Sequence, residues 1–195
     1  MGEPSDAGTI EKAYALGYEY EGKYGACSQC TLLAIMDALD MRDSKVFQAS
    51  FGFAGGIASL SKTCGALSAG IMAISMVYGR ELSNLTTQTE EDKRKCLQMV
   101  RDLHSLYMQK YGDIQCSSVH QMLFGRTFDQ WDKNEFQEFL RLGLEPGTCQ
   151  LLRVPLGLRG VDQGPVHQPN SFEHLSTGVR RPLRMDSLMP GTVVR

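Results

Sequence analysis

The sequence predicts an all-α fold: a compact bundle of about five to six helices with Gly-rich connections, followed by an irregular tail. Apolar residues recur at steps of three and four in several segments, which is the spacing of one helix face. Residues typical of helix starts and helix ends flank those segments. The sequence contains no convincing run with the two-residue period of a strand, and no Asn-Gly hairpin turn.

The segments with a helical signal are, in chain order, 10–18, 28–39, 45–50, 64–78, 89–110, 116–124 and 132–142. Capping residues define several of their ends. Asp43 or Ser44 can begin the third helix and Thr63 the fourth, while Gly79 lies past the end of the fourth. Acidic residues open the longest helix and Lys110 lies near its end, which is the arrangement that the helix dipole favours.

Small residues fill the first half of the fourth helix. Gly65 and Gly70 lie within it, where Gly costs about 1 kcal/mol relative to Ala. Close approach of another helix or of a bulky group compensates such a cost, and we assign the same close-packing role to Gly55 and Gly56. Tight helix packing alone is the alternative. The second half is predicted to be core, with the apolar residues Ile71, Met72, Ile74, Met76 and Val77.

Composition and charge exclude several classes of function. The 195 residues are 42% hydrophobic, which suits one domain with a substantial core. Lys and Arg number 20 against 22 Asp and Glu, so no basic surface dominates and nucleic acid is not the expected partner. The chain shows no secretory signal and no uncharged stretch long enough to cross a bilayer, so we expect a cytoplasmic protein. Motifs of hydrolases and nucleotide-binding proteins are absent from the sequence.

The composition changes near residue 150. Residues 151–195 contain no Ala, Ile, Lys, Tyr or Cys, yet hold five of the seven prolines. We therefore expect a helical, cysteine-containing domain over 1–150 and an irregular or disordered tail over 151–195. Loss of so many common residues at one point also fits a frameshifted end, which resequencing would test.

Four of the six cysteines lie where the sequence predicts that a helix begins: Cys27, Cys64, Cys116 and Cys149. A helix N-terminus offers unpaired N–H groups and about half a positive charge, which lowers the pKa of a cysteine and favours the thiolate. Thiolate is the form that binds metals and exchanges disulfides. In a reducing compartment, such a group indicates a metal or redox site more than a set of disulfides.

Cys30 and His120 are secondary candidates for the site, whereas Cys96 is predicted to be part of the core. Cys30 forms a CxxC with Cys27, which is a weak signal for a resolving or metal-binding partner. His120 lies four residues after Cys116, so that it can serve as a ligand or as a hydrogen-bond donor to sulfur, although we expect a surface or capping histidine. Cys96 shares an apolar stripe with Val100 and Leu103, so it is predicted to be core.

The cysteine order and the segments Gly52–Gly56, Thr63–Gly70 and Tyr111–Cys116 resemble the C-GCAxxG-C-C family, over about residues 11–150. These are small helical proteins to which redox activity has been ascribed. In the family's motif Gly precedes Cys, whereas here Cys64 precedes Gly65. The resemblance implies that Cys27, Cys64, Cys116 and Cys149 form the site. A similar domain occurs in split-Soret cytochromes beside an iron–sulfur centre, but Thr31 follows Cys30 here, so covalent c-type haem is not expected.

Three functions follow, in decreasing order of preference. The first is an electron-transfer module in which the four cysteines bind an iron–sulfur cluster. The second is a thiol–disulfide redox protein or redox sensor without a cluster, with a four-cysteine zinc site as a variant. The third is a helical interaction protein whose cysteines are merely buried. A redox partner protein is expected without being identified, an enzymatic activity is not assigned, and a homo-oligomer stays open.

Overall fold

A computed structural model describes residues 6–143, and in this part of the chain the all-α prediction is confirmed. The α-helices are α1 Asp6–Tyr24, α2 Cys27–Ala38, α3 Ser44–Ser50, α4 Gly65–Tyr78, α5 Glu90–Tyr111, α6 Cys116–Phe124 and α7 Lys133–Gly143. Two short 3-10 helices span Phe51–Phe53 and Leu82–Asn84. Within residues 6–143 there are seven α-helices, more than the five to six expected, and no strand beyond one isolated bridge between Thr63 and Gln115.

Helix α4 lies at the centre of the packing, between α2 and α5. Its residues 65–70 are all buried, because small side chains let both neighbours come close. One core cluster joins α2 to α4, with the buried members Leu32, Ile35, Met36, Ala69 and Ala73. A second cluster joins α4 to α5 and α6, with the buried members Cys64, Ala66, Leu67, Ile74, Leu103, Tyr107, Tyr111 and Val119.

The second half of α4 is less buried than predicted. Ile74 belongs to the core, but Val77 is 42% exposed, and Ile71, Met72 and Met76 are partly buried. The helix carries apolar residues around most of its circumference at this end, while only the faces toward α2 and α5 are covered. The prediction for Val77 is therefore wrong.

Caps define most helix starts and ends as expected. The Asp43 carboxylate accepts hydrogen bonds from the backbone N–H groups of Lys45 and Val46, and Gly79 and Gly112 follow the ends of α4 and α5. Thr63 is not the cap of α4, contrary to prediction. Cys64 occupies the N-cap position and makes no side-chain capping hydrogen bond. Thr63 is not available as the cap, because it pairs with Gln115 in the isolated bridge.

The connection between α3 and α4 contains an unusual left-handed turn. Residues 55–59 all have positive φ, from 49° at Ala58 to 73° at Gly56. Left-handed backbone costs roughly 1–2 kcal/mol at each residue other than Gly. Backbone hydrogen bonds hold the turn, among them Ser61 N–H to Gly55 O and Lys62 N–H to Gly56 O. Such strain persists only where the surroundings fix the backbone.

In the described part of the chain, no helix is both long and apolar enough to cross a membrane. The predicted boundary at residue 150 and the tail 151–195 lie outside the described residues and stay predictions.

A candidate cysteine-lined site

Cys27, Cys64 and Cys116 line one cavity of about 260 Å³. Each of them stands at a helix start: Cys27 is the first residue of α2, Cys64 caps α4 and Cys116 is the first residue of α6. Three segments that are far apart in the sequence thus bring thiols to a shared hollow. Cys149, the fourth predicted residue of the site, lies outside the described residues.

Backbone pairing brings Cys64 and Cys116 together. The N–H of Cys64 donates to the carbonyl of Ile114 at 2.8 Å, and the N–H of Cys116 donates to the carbonyl of Lys62 at 2.6 Å. These two bonds flank the Thr63–Gln115 bridge, so the starts of α4 and α6 are held side by side. Cys27 follows Gly25 and Ala26, both left-handed, which turn the chain sharply between α1 and α2.

Glycines leave the space that the cysteines occupy. A Cβ at Gly65 would lie 2.7 Å from the Cys27 Sγ and 2.7 Å from the carbonyl oxygen of Phe53. A Cβ at Gly56 would lie 2.7 Å from the Cys116 Cβ. These distances are shorter than van der Waals contact. Each of these two glycines therefore forms a cradle, which is a space beside a cysteine that any larger side chain would fill.

The other two glycines assigned to close packing also have near neighbours. At Gly55 a Cβ would collide with the Gln130 side chain and lie 2.6 Å from the Ser59 Oγ. At Gly70 it would lie 2.9 Å from the end of the Leu103 side chain. Gly55 also lines the same cavity as Cys27.

Cys27 and Cys116 do not have the lowered pKa values that their helix-start positions predict. Burial raises the pKa of Cys27, and the nearby Glu21 carboxyl and Cys64 thiol raise it further. Burial together with Cys64 raises the pKa of Cys116 to about 12. Burial also raises the pKa of Glu21, which lines the same cavity. The expectation is wrong for Cys27 and Cys116 because desolvation outweighs the helix dipole.

His120 is part of the site, and the expectation of a surface or capping histidine is wrong. It is 3% exposed and lines the cavity, with its Nε2 3.5 Å from the Cys116 Sγ. The rings of Phe124, Phe128 and Phe139 surround it at centroid distances of 5.9, 5.7 and 4.9 Å. Burial lowers the pKa of His120 to about 4, so the imidazole is neutral at physiological pH.

Sequence reasoning missed Tyr107 as a residue of this region. It is 1% exposed and belongs to the core cluster that contains Cys64. Burial raises the pKa of Tyr107, so the hydroxyl keeps its proton. Tyr107 falls on the same apolar stripe of α5 as Leu103, and that pattern indicates core without indicating which residue of α4 lies opposite. Glu21 of α1 was missed too, since nothing in the sequence relates it to the cysteines.

The remaining cysteines lie apart from the cavity lining. The Cys30 thiol donates to the carbonyl of Gly25 at 2.7 Å, inside the turn between α1 and α2. Cys96 is partly buried and packs against the core cluster between α4 and α5. No disulfide joins the cysteines of the described part of the chain.

Between residues 6 and 143, no group of three or more Cys, His, Asp or Glu side chains is close enough to hold a single metal ion. The three thiols therefore share a hollow without converging on one point. The wall opposite them is apolar and includes Phe124, Phe136, Phe139 and Leu140.

Comparisons with known proteins identify the family. The family model described as "Putative redox-active protein (C_GCAxxG_C_C)" matches residues 25–149, an interval that contains Cys27, Cys64, Cys116 and Cys149. No curated protein and no solved structure matches the chain significantly. The chain belongs to the C_GCAxxG_C_C family.

Proposed function

We propose that this protein is an electron-transfer protein in which Cys27, Cys64, Cys116 and Cys149 bind an iron–sulfur cluster. The observation that carries the proposal is that thiols from the starts of α2, α4 and α6 line one cavity. Such a cluster, when bound, supplies one-electron exchange at a potential that its surroundings set. The redox description of the family agrees with this activity.

The chain's own groups fit thiolate ligands at this place. The cavity is largely apolar, which keeps water away from the sulfurs. The cradles at Gly56 and Gly65 leave the sulfur-bearing side chains accessible from the cavity. The Tyr107 hydroxyl is buried without a hydrogen-bond partner among the described residues. Unsatisfied buried polar atoms are rare, and a charged group nearby would explain this one.

In the sequence, Cys149 follows six positions after Gly143, the last residue of α7, which lines the cavity. An extended chain of that length spans at most about 20 Å. The usual iron–sulfur ligand set is four cysteines, so this segment would supply the fourth ligand.

A thiol–disulfide protein is the second candidate, and the chemistry of the thiols disfavours it. Desolvation raises the pKa values of Cys27 and Cys116, and buried protonated thiols are poor nucleophiles. Metal ions remove the thiol proton on binding, so burial does not oppose ligation in the same way. A four-cysteine zinc site would need the thiols to meet at one ion, with Zn–S near 2.3 Å.

Anaerobic purification followed by iron and acid-labile sulfide analysis tests the proposal. We expect the wild-type chain to contain both, and Cys27→Ser, Cys64→Ser, Cys116→Ser and Cys149→Ser each to lose most of both. Cys96→Ser is the matched control, because Cys96 is partly buried in the same bundle but lies away from the cavity lining. It should keep the wild-type iron content.

Two results would contradict the cluster. One is a colourless wild-type protein without iron after anaerobic purification. The other is loss of two titratable thiols on mild oxidation, with full recovery on reduction and no metal at any stage, which would favour the thiol–disulfide function.

A further inference from the structure

One cysteine sulfur of the cavity lies next to a buried imidazole. The His120 Nε2 lies 3.5 Å from the Cys116 Sγ. The imidazole belongs to a side chain, so replacing it leaves the main chain intact.

The imidazole is held where water does not compete for it. His120 is 3% exposed and lies inside a cage of phenylalanine rings. The His120 Nδ1 has no hydrogen-bond partner among the described residues. A buried N–H without an acceptor is rarer than a buried lone pair, so the ring proton belongs on Nε2, facing the Cys116 sulfur.

We propose that His120 sets the reduction potential of the site, by donating a hydrogen bond to the sulfur of Cys116. This inference rests on the proposed function. Reduction adds negative charge at the sulfurs, and an N–H donor stabilises that charge. Hydrogen bonds to cluster sulfurs are among the features by which proteins tune the reduction potential. His120 is a positioning residue, and it leaves ligation to the cysteines.

The first test uses the metal-free, full-length protein and needs no substitution of a ligand. Long-range 15N–1H correlation spectra of the histidine rings distinguish a proton on Nε2 from a proton on Nδ1. The chain has four histidines, and His120→Phe assigns the signal of His120 by its absence. We expect the neutral Nε2–H form at pH 7. A proton on Nδ1 would overturn the proposed donation to Cys116.

The second test measures the midpoint potential of the iron-loaded protein by anaerobic redox titration. His120→Phe keeps an aromatic ring and removes the donor. We expect it to lower the ratio of reduced to oxidised protein at a fixed ambient potential about tenfold, which is a fall of 59 mV for a one-electron couple. The control is the exposed His104→Phe, which should match the wild type.

Iron content and the far-UV circular dichroism spectrum accompany every titration. Wild-type iron content in His120→Phe is expected, and loss of iron in this variant would make His120 a ligand and overturn its positioning role. If the wild type takes up no iron, the proposed function fails and this inference fails with it. If the wild type binds iron but His120→Phe titrates like His104→Phe, only this inference fails.

Discussion

The substitution Gly65→Ala adds one methyl group and tests how tightly the residues around the Cys27 sulfur are packed. The Cβ of Gly65→Ala would meet a backbone oxygen and the Cys27 sulfur, both at 2.7 Å, so backbone atoms have to move. We expect a loss of about 1–3 kcal/mol in the free energy of unfolding, the usual cost of overpacking. Urea denaturation at neutral pH measures it.

Two other glycines provide the comparison. Gly52→Ala has nothing within 4 Å of the new Cβ and should be close to neutral. At Gly70 the new Cβ meets only the end of the flexible Leu103 side chain, at 2.9 Å, and Ala gains about 1 kcal/mol in helix propensity, so we expect a small net change. If Gly52→Ala and Gly65→Ala lose the same free energy of unfolding, the cradle at Gly65 is not tightly packed.

At the scale of single residues, the sequence indicates which side chains carry chemistry better than it indicates their environment. Cys27, Cys64 and Cys116 were found because cysteines at helix starts are visible as a pattern. The pKa values of Cys27 and Cys116 were predicted in the wrong direction, because the helix dipole is a local effect whereas burial depends on α1, α6 and α7. His120 was misplaced for the same reason, since its aromatic cage comes partly from Phe128 and Phe139.

The contact between α1 and α2 depends on one carboxylate. The Tyr20 hydroxyl of α1 donates to Asp37 of α2 at 2.7 Å, and the Arg42 guanidinium forms an ion pair with it. Arg42 and Tyr20 lower the pKa of Asp37 in the folded protein. We expect Asp37→Asn to lower the free energy of unfolding at pH 7 by about 1 kcal/mol, since most of the pair is near the surface.

The difference in the free energy of unfolding between wild type and Asp37→Asn depends on pH, and the direction of the Asp37 pKa shift determines how. A carboxyl group with a lowered folded pKa contributes fully above its unfolded pKa, near 3.9, and the contribution is lost as the pH falls through the folded value. The gap between wild type and Asp37→Asn should therefore be constant from pH 7 to about pH 5 and should close below about pH 4. Denaturation curves at several pH values measure the gap, with the exposed Asp40→Asn as control. A gap that persists at pH 2 would assign the effect to packing.

At the scale of elements, helix ends were predictable where a side chain or a glycine marks them. Asp43 marked the start of α3, and Gly79 and Gly112 marked the ends of α4 and α5. Helix α1 extends from Asp6 to Tyr24, well beyond the predicted 10–18, because its flanking turns are polar and show no apolar period. The start of α4 was misjudged at Thr63, whose pairing with Gln115 is a contact between distant segments that no local pattern encodes.

At the scale of the whole molecule, the all-α class followed from periodicity, but the meeting of the three cysteines did not. That meeting requires the bridge between 63 and 115 and the left-handed turn over 55–59, neither of which has a local sequence signature beyond its glycines. Seven helices can be arranged in many ways that keep the same apolar faces buried. The order of the cysteines along the chain indicated a shared site, but the location of that site depends on how the helices pack.

Because the proposed ligands Cys27, Cys64 and Cys116 come from the starts of α2, α4 and α6, metal binding at them should stabilise the whole described bundle. A group that binds the folded chain and not the unfolded chain raises the free energy of unfolding by mass action. A ligand at a thousand times its Kd contributes about 4 kcal/mol, which would raise the Tm by roughly 10 °C in a chain of this size. Thermal denaturation followed by circular dichroism, before and after removal of iron with a chelator under reducing anaerobic conditions, measures the difference. Cys116→Ser should show no such difference, because it has lost a ligand. If wild-type protein binds iron yet melts at the same temperature without it, the metal does not connect the three helix starts, and the site must lie within a single segment.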